Sequence, residues 1–200
     1  MNGQTMSPAR SDIAQDLIGR VEAARRTWRA PAHIREAATT GRIQAAHHAG
    51  LADTQALRRL VTKFGWPGRA LVGDTGSEAA LAIALQADHN PAFQTTLLTM
   101  LAEAVRRGDA TSAQWAHLRD RCLVPSGPQE YGTQYWLRDG RIELHPVVDP
   151  GGLDKRRADV GLPPQREQAA QLERRHLAGP GPVATASIGP APVTSERTAA

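Results

Sequence analysis

The polar residues best suited to chemistry fall at four places in the chain. The first place directly follows an apolar stretch. It contains Gln86, Asp88 and His89. Histidine titrates near neutrality and a carboxylate can orient it, so Asp88 and His89 are candidates for acid–base work. Adjacent helical residues point in different directions, however, and polar side chains at helix ends also cap free backbone groups. Capping is therefore the structural alternative for this cluster.

The second place is the pair Asp120–Arg121. The planar guanidinium of Arg121 suits a carboxylate or phosphate, which it can bind through two parallel hydrogen bonds. A buried ion pair is the structural alternative. Because desolvated charges are costly unless hydrogen bonds satisfy them, such a pair would need partners among the amides and hydroxyl of Gln129, Thr133 and Gln134.

The third place is the stretch QEYGTQ, residues 129–134, which gathers amide and hydroxyl groups around a glycine. As a strand it would alternate, with Gln129, Tyr131 and Thr133 on one face. Gly132 would let a ligand or a backbone approach closely. We expect either a recognition strip for a polar ligand or a strand that docks on a polar helix face.

Two consecutive arginines, Arg156 and Arg157, complete the set. They are candidates for anion binding or for a salt bridge to Asp120 or Asp149. The sequence thus gives as catalytic candidates Asp88, His89, Asp120 and Tyr131, and as ligand-binding candidates Gln86, Arg121, Gln129, Thr133, Gln134 and Arg156.

Other familiar kinds of site find no support in the sequence. Cys122 is the single cysteine, so neither an internal disulfide nor a cysteine cluster for zinc is possible. The histidines have no metal-ligand spacing, and GDTG at residues 73–76 lacks the lysine of a phosphate-binding loop. We therefore predict no metal and no cofactor.

The elements that position these residues are mainly helices. An amphipathic, arginine-rich helix is predicted from Ser11 to Trp28, and another around residues 34–48. A helix that Asp53 caps should end at Gly65, and GRALVGDTG should form a loop before an apolar central helix that opens at Gly76 or Ser77. Asn90–Pro91 and Thr111 should start two more helices.

The period changes after Pro125, where alternating runs around Asp139–Gly140 predict a β-hairpin. Asp154 should begin a short helix, and QREQAAQLERRH a polar one. The expected fold is α+β and predominantly helical, a compact bundle with one hairpin packed on it. We expect an N-terminal helical extension over residues 1–50, a globular domain over 51–164, a polar helix over 165–177 and a disordered tail over 178–200.

Composition limits the setting of the protein. No apolar run approaches the ~18 to 20 residues needed to span a bilayer, and the N-terminus lacks the pattern of a secretion signal, so we expect a cytoplasmic protein. The net charge of +4 rests on 24 basic against 20 acidic residues. That excess is small, and no nucleic-acid-binding motif accompanies it, so a nucleic-acid partner is not favoured.

Several of these motifs together resemble a widespread bacterial family of unknown function. The order GWPG, ADHNPAFQ, DR, YGTQ and RRADVGL is similar to the family pattern GWP…QHAD…DR…Q.YGTQ…RR..VGL over roughly residues 51–164. The resemblance implies no assigned reaction. It places Gln86 where the family pattern has the histidine of QHAD, so a role of that histidine would be lost here.

Two functions remain open from the sequence. One is an enzyme or a binder acting on a small polar or anionic ligand, in a cleft between the end of the central helix and the YGTQ hairpin. The alternative is a non-catalytic interaction or accessory protein that engages a protein partner through its basic N-terminal helix.

Overall fold

Helices dominate the computed structural model of this chain, which describes residues 8–28, 39–138 and 141–178. Within these residues the helices are α1 Ser11–Trp28, α2 Thr39–Phe64, α3 Arg69–Leu85, α4 Pro91–Arg106, α5 Ser112–Leu123, α6 Leu153–Asp159 and α7 Gln165–Ala178. An antiparallel hairpin of β1 (Tyr135–Arg138) and β2 (Arg141–Leu144) follows α5, and a 3-10 turn at Pro150–Gly152 leads into α6. The predominantly helical α+β prediction is confirmed.

The apolar helix α3 lies at the centre, as predicted. Its buried positions are mostly small residues, including Ala80 and Ala84, which are fully buried, and it packs against α1, α2, α4 and α5. Small side chains let neighbouring helices approach closely. At Gly76 a Cβ atom would lie only 2.7 Å from the Val72 side chain and 3.2 Å from that of Ala14. The neighbouring helices therefore bury α3 on several sides.

The first helix belongs to this same core. Ala14 and Leu17 of α1 are buried, with Leu17 only 2% exposed, and both lie in one hydrophobic cluster with the residues of α3 and α4. The expected boundary between residues 50 and 51 falls inside α2, and Asp53, expected to cap a helix, lies in the middle of α2. Asp53 instead pairs with Arg20 of α1 at 3.0 Å, which ties the two helices together.

The segment predicted as the loop GRALVGDTG is helical, so that prediction is wrong. The helix begins at Arg69 and is kinked at Gly73, where φ is 72°. It starts early because Asp109 supplies acceptors to its first turn, with its carbonyl oxygen 2.8 Å from the Arg69 amide and its carboxylate 2.7 Å from the Ala70 amide. The residue that caps the helix lies 39 positions away in the chain, beyond the reach of a local pattern.

The two helix starts with local signals agree with prediction. The Asn90 side chain accepts a hydrogen bond from the Phe93 amide at 3.0 Å, with Pro91 as the first helical residue. Thr111 and Gln114 form a reciprocal capping box, with hydrogen bonds of 3.1 and 3.0 Å. Both caps lie within three residues of the groups they satisfy.

The hairpin has the predicted strands, with Tyr135 opposite Leu144, while the tip at residues 139–140 lies outside the described part of the chain. The predicted disorder of the C-terminal tail also falls outside it, apart from Ala178 at the end of α7. Among the described helices, none combines the length and the apolar character needed to cross a bilayer.

Candidate functional site

Residues 129–134 form a bent loop rather than the predicted alternating strand. Gly132 has a φ of 63°, and Gln129, Thr133 and Gln134 are all buried. The bend turns consecutive backbone amides toward one point on α5, so the side chains no longer alternate between two faces.

That point is the carboxylate of Asp120, which is completely buried. It accepts hydrogen bonds from the amides of Glu130 at 2.8 Å, Tyr131 at 3.0 Å and Thr133 at 2.9 Å, and from the Thr133 hydroxyl at 2.9 Å. Four donors satisfy a buried carboxylate, so its charge is tolerated without a cationic partner. Asp120 therefore organises the loop and presents no open face to a substrate.

Gln129 closes the other side of the loop. Its side-chain amide nitrogen donates to the carbonyls of Gln134 and His145, both at 3.0 Å, and its amide oxygen accepts from the Gln134 backbone at 2.8 Å. The residue is fully buried. Its amide replaces the pairing that a regular strand would supply, which fits the docking alternative for this stretch.

Arg121 joins α5 to the end of α3. Its Nε donates to the Leu85 carbonyl at 3.1 Å and to Asp88 Oδ1 at 2.9 Å, and its Nη2 contacts Asp88 Oδ2. The Nη1 group faces Gln134 Oε1 at a longer 3.5 Å. The Arg121 side chain is 8% exposed, whereas that of Asp88 is 44% exposed. This ion pair thus has a buried cation and a carboxylate open to solvent.

Two polar residues near Asp88 in the sequence, Gln86 and His89, are exposed. Gln86 ends α3, and His89 precedes the cap of α4; both face solvent. The Asp88 carboxylate is directed to Arg121 and to the Gln94 side chain, 3.2 Å away. Buried Gln94 also donates to the Ala84 carbonyl at 3.0 Å. It is a residue the sequence reasoning missed, although it closes the ADHNPAFQ motif.

Tyr131 lies on a different side of α5. Its ring packs edge-on against Trp115, with centroids 6.0 Å apart, and its neighbour Glu130 pairs with Arg119 at 2.7 Å. Trp115 and Arg119 are one helical turn apart on one face, and Arg121, two residues further, lies about 200° around the helix. Burial, with Glu130 and Asp120 nearby, raises the pKa of Tyr131. The structure therefore brings Asp88, Arg121 and Gln134 together but leaves the tyrosine ring apart from them.

The two arginines of α6 donate hydrogen bonds to backbone carbonyls of the same loop. Arg156 donates to the Glu130 carbonyl at 3.0 Å and pairs with Asp149 at 3.2 Å, which is one of the salt bridges proposed from the sequence. Arg157 is fully buried and binds backbone carbonyls, those of Tyr131 at 2.6 Å and Pro163 at 2.7 Å. Burial lowers the pKa of Arg157. Their hydrogen bonds give both arginines a structural role at this loop.

The site that remains open to solvent is therefore small. The polar groups of the loop, those of Asp120, Gln129 and Thr133, already form hydrogen bonds within the loop and between the loop and α5. The Asp88–Arg121 pair, in contrast, has a carboxylate that is exposed to solvent. Within the described residues, no three metal-ligating side chains come together. This arrangement can bind an anion or an amide, and it holds no carboxylate–histidine dyad.

Comparison with known protein families gives a match over most of the chain. Residues 11–177 match the family described as "Family of unknown function (DUF6624)". No curated protein matches the chain, and no solved structure does. The matched region is longer than residues 51–164, on which the sequence resemblance rests, and it includes α1, in agreement with the burial of that helix.

Proposed function

Because this chain belongs to the family of unknown function DUF6624, we propose its function from its own geometry: it binds a small polar or anionic ligand at the open side of the Asp88–Arg121 pair. The proposal is for binding. Asp120, a catalytic candidate, and Thr133, a ligand-binding candidate, are already engaged with each other, and the Asp120 carboxylate also accepts hydrogen bonds from backbone amides.

The uneven burial of the Asp88–Arg121 pair carries the proposal. The Arg121 side chain is 8% exposed and its Nη1 group faces buried Gln134, whereas the Asp88 carboxylate that holds its Nε and Nη2 groups is 44% exposed. A buried guanidinium gains more from a new acceptor than an exposed one does, because water competes less for its donors.

The partner of this arginine also favours a ligand. Asp88 is the more exposed member of the pair, so an incoming carboxylate or phosphate can compete with it for the guanidinium fork. A neutral amide can instead donate to Asp88 while accepting from Arg121. Gln86 and His89, close to Asp88 in the sequence, are also exposed and carry hydrogen-bonding groups.

The variant Asp88→Asn tests the proposal. The protein would be titrated with inorganic phosphate and with acetate while the Arg121 Nε–H resonance is followed by NMR. We expect a saturable shift in the wild-type protein. In Asp88→Asn we expect roughly tenfold tighter binding, equivalent to about 1.4 kcal/mol, because the competing carboxylate has lost its charge.

Glu130→Gln is the matched control. Glu130 pairs with Arg119 in a second ion pair that is open to solvent, with the Arg119 side chain 35% exposed and that of Glu130 32% exposed. That substitution should leave the Arg121 titration unchanged. The absence of a saturable shift in both the wild type and Asp88→Asn, equal affinities of the two, or an equal gain from Glu130→Gln would each rule out ligand binding at this pair.

A further inference from the structure

A groove runs between α1 and α2 on a part of the molecule separate from the Asp88–Arg121 pair. One end is a cavity of about 340 Å³ near Phe64, and a second cavity of about 460 Å³ continues toward Gly19 and Ala49. The two share Asp16 and Arg20 in their linings, so they form one continuous feature. Each has a volume in the range of small binding pockets.

We propose that this groove docks an acidic amphipathic segment of a partner protein, with apolar side chains entering the end near Phe64. The lining of that end combines apolar side chains with charged ones. Ile13 and Leu60 are half-buried there, and Phe64 is 38% exposed, one of two large hydrophobic side chains left exposed among the described residues. Amphipathic helices commonly bind by placing apolar anchors in such a groove.

The charges along the groove determine the sign of the partner. Its three acidic residues are already paired, Asp12 with Arg10 at 2.6 Å, and both Asp16 and Asp53 with Arg20, at 2.8 and 3.0 Å. Arg59 and Lys63, exposed and one helical turn apart on α2, form no ion pair with any carboxylate in the described part of the chain. The Lys63 ammonium lies 5.1 Å from the centre of the Phe64 ring. Two unpaired cations beside an exposed aromatic ring favour a partner that carries carboxylates next to its apolar anchors.

Small side chains line much of the other end of the groove. Gly19, Ala24 and Ala49 line it there, and Arg20 bridges Asp16 and Asp53 across it. Small residues let the backbone of a bound helix approach both α1 and α2. The groove can therefore seat a segment that is anchored at one end and continues along the other.

An external partner fits better than the rest of this chain. The stretches 1–7, 29–38 and 179–200 contain only two acidic residues in total, Glu36 and Glu196, so none offers an acidic amphipathic pattern. A flat lipid surface cannot enter a recess between two helices. Both alternatives can be measured in the same experiment as the peptide.

The probe is a fluorescein-labelled helical peptide with leucines at positions i, i+3, i+4 and i+7 and glutamates on its remaining faces. Fluorescence anisotropy would measure its binding to the full chain, with a peptide carrying lysine for glutamate as the comparison. We expect saturable binding of the glutamate peptide only. The double variant Arg59→Glu/Lys63→Glu should weaken it at least tenfold, and Phe64→Ala by a comparable factor.

Arg106→Glu/Arg107→Glu is the control for net charge, because both are exposed arginines at the end of α4, with side chains 75% and 59% exposed. It should bind the peptide as the wild type does, and thermal unfolding should confirm that each variant is folded. The proposal is overturned if the glutamate peptide does not bind, if the lysine peptide binds equally, or if the α2 variants bind normally. It is equally overturned if Phe64→Ala abolishes only self-association in sedimentation, or only binding to phosphatidylserine vesicles.

Discussion

Asp120 is the residue whose substitution should be most costly relative to its size. An asparagine there would keep the shape but place an NH₂ group among the donors from Glu130, Tyr131 and Thr133. We expect Asp120→Asn to lower the free energy of unfolding by about 2–4 kcal/mol, measured by urea denaturation, because buried donors lose their acceptor. Asp16→Asn, at a side chain 56% exposed, should cost less than about 0.5 kcal/mol. Equal costs would contradict the structural role of Asp120.

His117 predicts how stability responds to acid. Burial lowers its pKa, the nearby Asp120 opposes this and Arg157 adds to it. The unfolded chain therefore binds a proton at this residue more readily than the folded chain does. Stability from this group is present above the unfolded pKa of about 6.5 and is lost as pH falls toward the folded pKa. We expect His117→Gln to reduce the fall in unfolding free energy between pH 7 and pH 5; an unchanged fall would exclude this histidine as its source.

The sequence identified most polar residues that matter but not what they do. Asp120, Arg121, Gln129 and Gln134 were all selected by type and position, and all take part in the contacts that fix the loop on α5. Many of their partners are backbone groups, which every residue carries, and only Arg121 pairs with a carboxylate, that of Asp88. Spacing alone could therefore not separate a ligand-binding side chain from one that binds its own chain. The same limit explains why buried Arg157 was expected to pair with a carboxylate and instead binds carbonyls.

At the scale of elements, the start of α3 depends on a close approach at Gly68. A Cβ atom there would lie 2.1 Å from Asp109 Oδ2 and 2.6 Å from the Asp109 carbonyl oxygen. Asp109 is the residue that accepts hydrogen bonds from the amides in the first turn of this helix. We expect Gly68→Ala to destabilise the protein by roughly 1–3 kcal/mol in thermal or urea unfolding, because Asp109 must move away from the amides it caps. Gly127→Ala, where a Cβ would meet nothing within 4 Å, should be nearly neutral. A neutral Gly68→Ala would show that Asp109 is not needed at its present position.

Element boundaries were predictable where their cause is local. Asn90 and Thr111 cap helices through bonds to residues three positions ahead, and both starts were found from the sequence. The sequence around residues 68–76 does not predict the start of α3, because the acceptors for its first turn come from Asp109. The alternation of residues 129–134 predicts a strand, whereas hydrogen bonds to Asp120 of α5 give this segment the shape of a loop. Local sequence does not predict a helix start or a loop shape where a residue distant in the chain accepts the backbone hydrogen bonds.

For the whole molecule, the question is whether α1 is an appendage or part of the core. Leu17 is 2% exposed, and we expect Leu17→Ala to cost about 2–5 kcal/mol of unfolding free energy, as a buried leucine in the centre of a domain does. Leu97→Ala in α4, at a fully buried position, gives the reference value. A cost for Leu17→Ala below about 0.5 kcal/mol would restore the expected independent N-terminal extension.

The predominantly helical class of the fold followed from periodicity and composition, whereas the extent of the folded unit did not. A helix with an apolar stripe packs on its own domain or on a partner, and its sequence is the same in both cases. The close approach of Ala14 to α3 at Gly76 shows that α1 packs on its own domain. No pattern within residues 11–28 predicts this contact, because it depends on a glycine in another helix.

The carboxylate in the 129–134 loop also bears on the order in which the chain assembles. The loop amides have no acceptor until α5 has formed and presented Asp120, and no regular strand pairing at Glu130, Tyr131 or Thr133 replaces it. Loop and helix should consequently gain their structure in one cooperative step. In native-state hydrogen exchange, the amides of Tyr131 and Thr133 should be protected to the same opening free energy as those of α5, even though they lie in an irregular segment that would ordinarily exchange early.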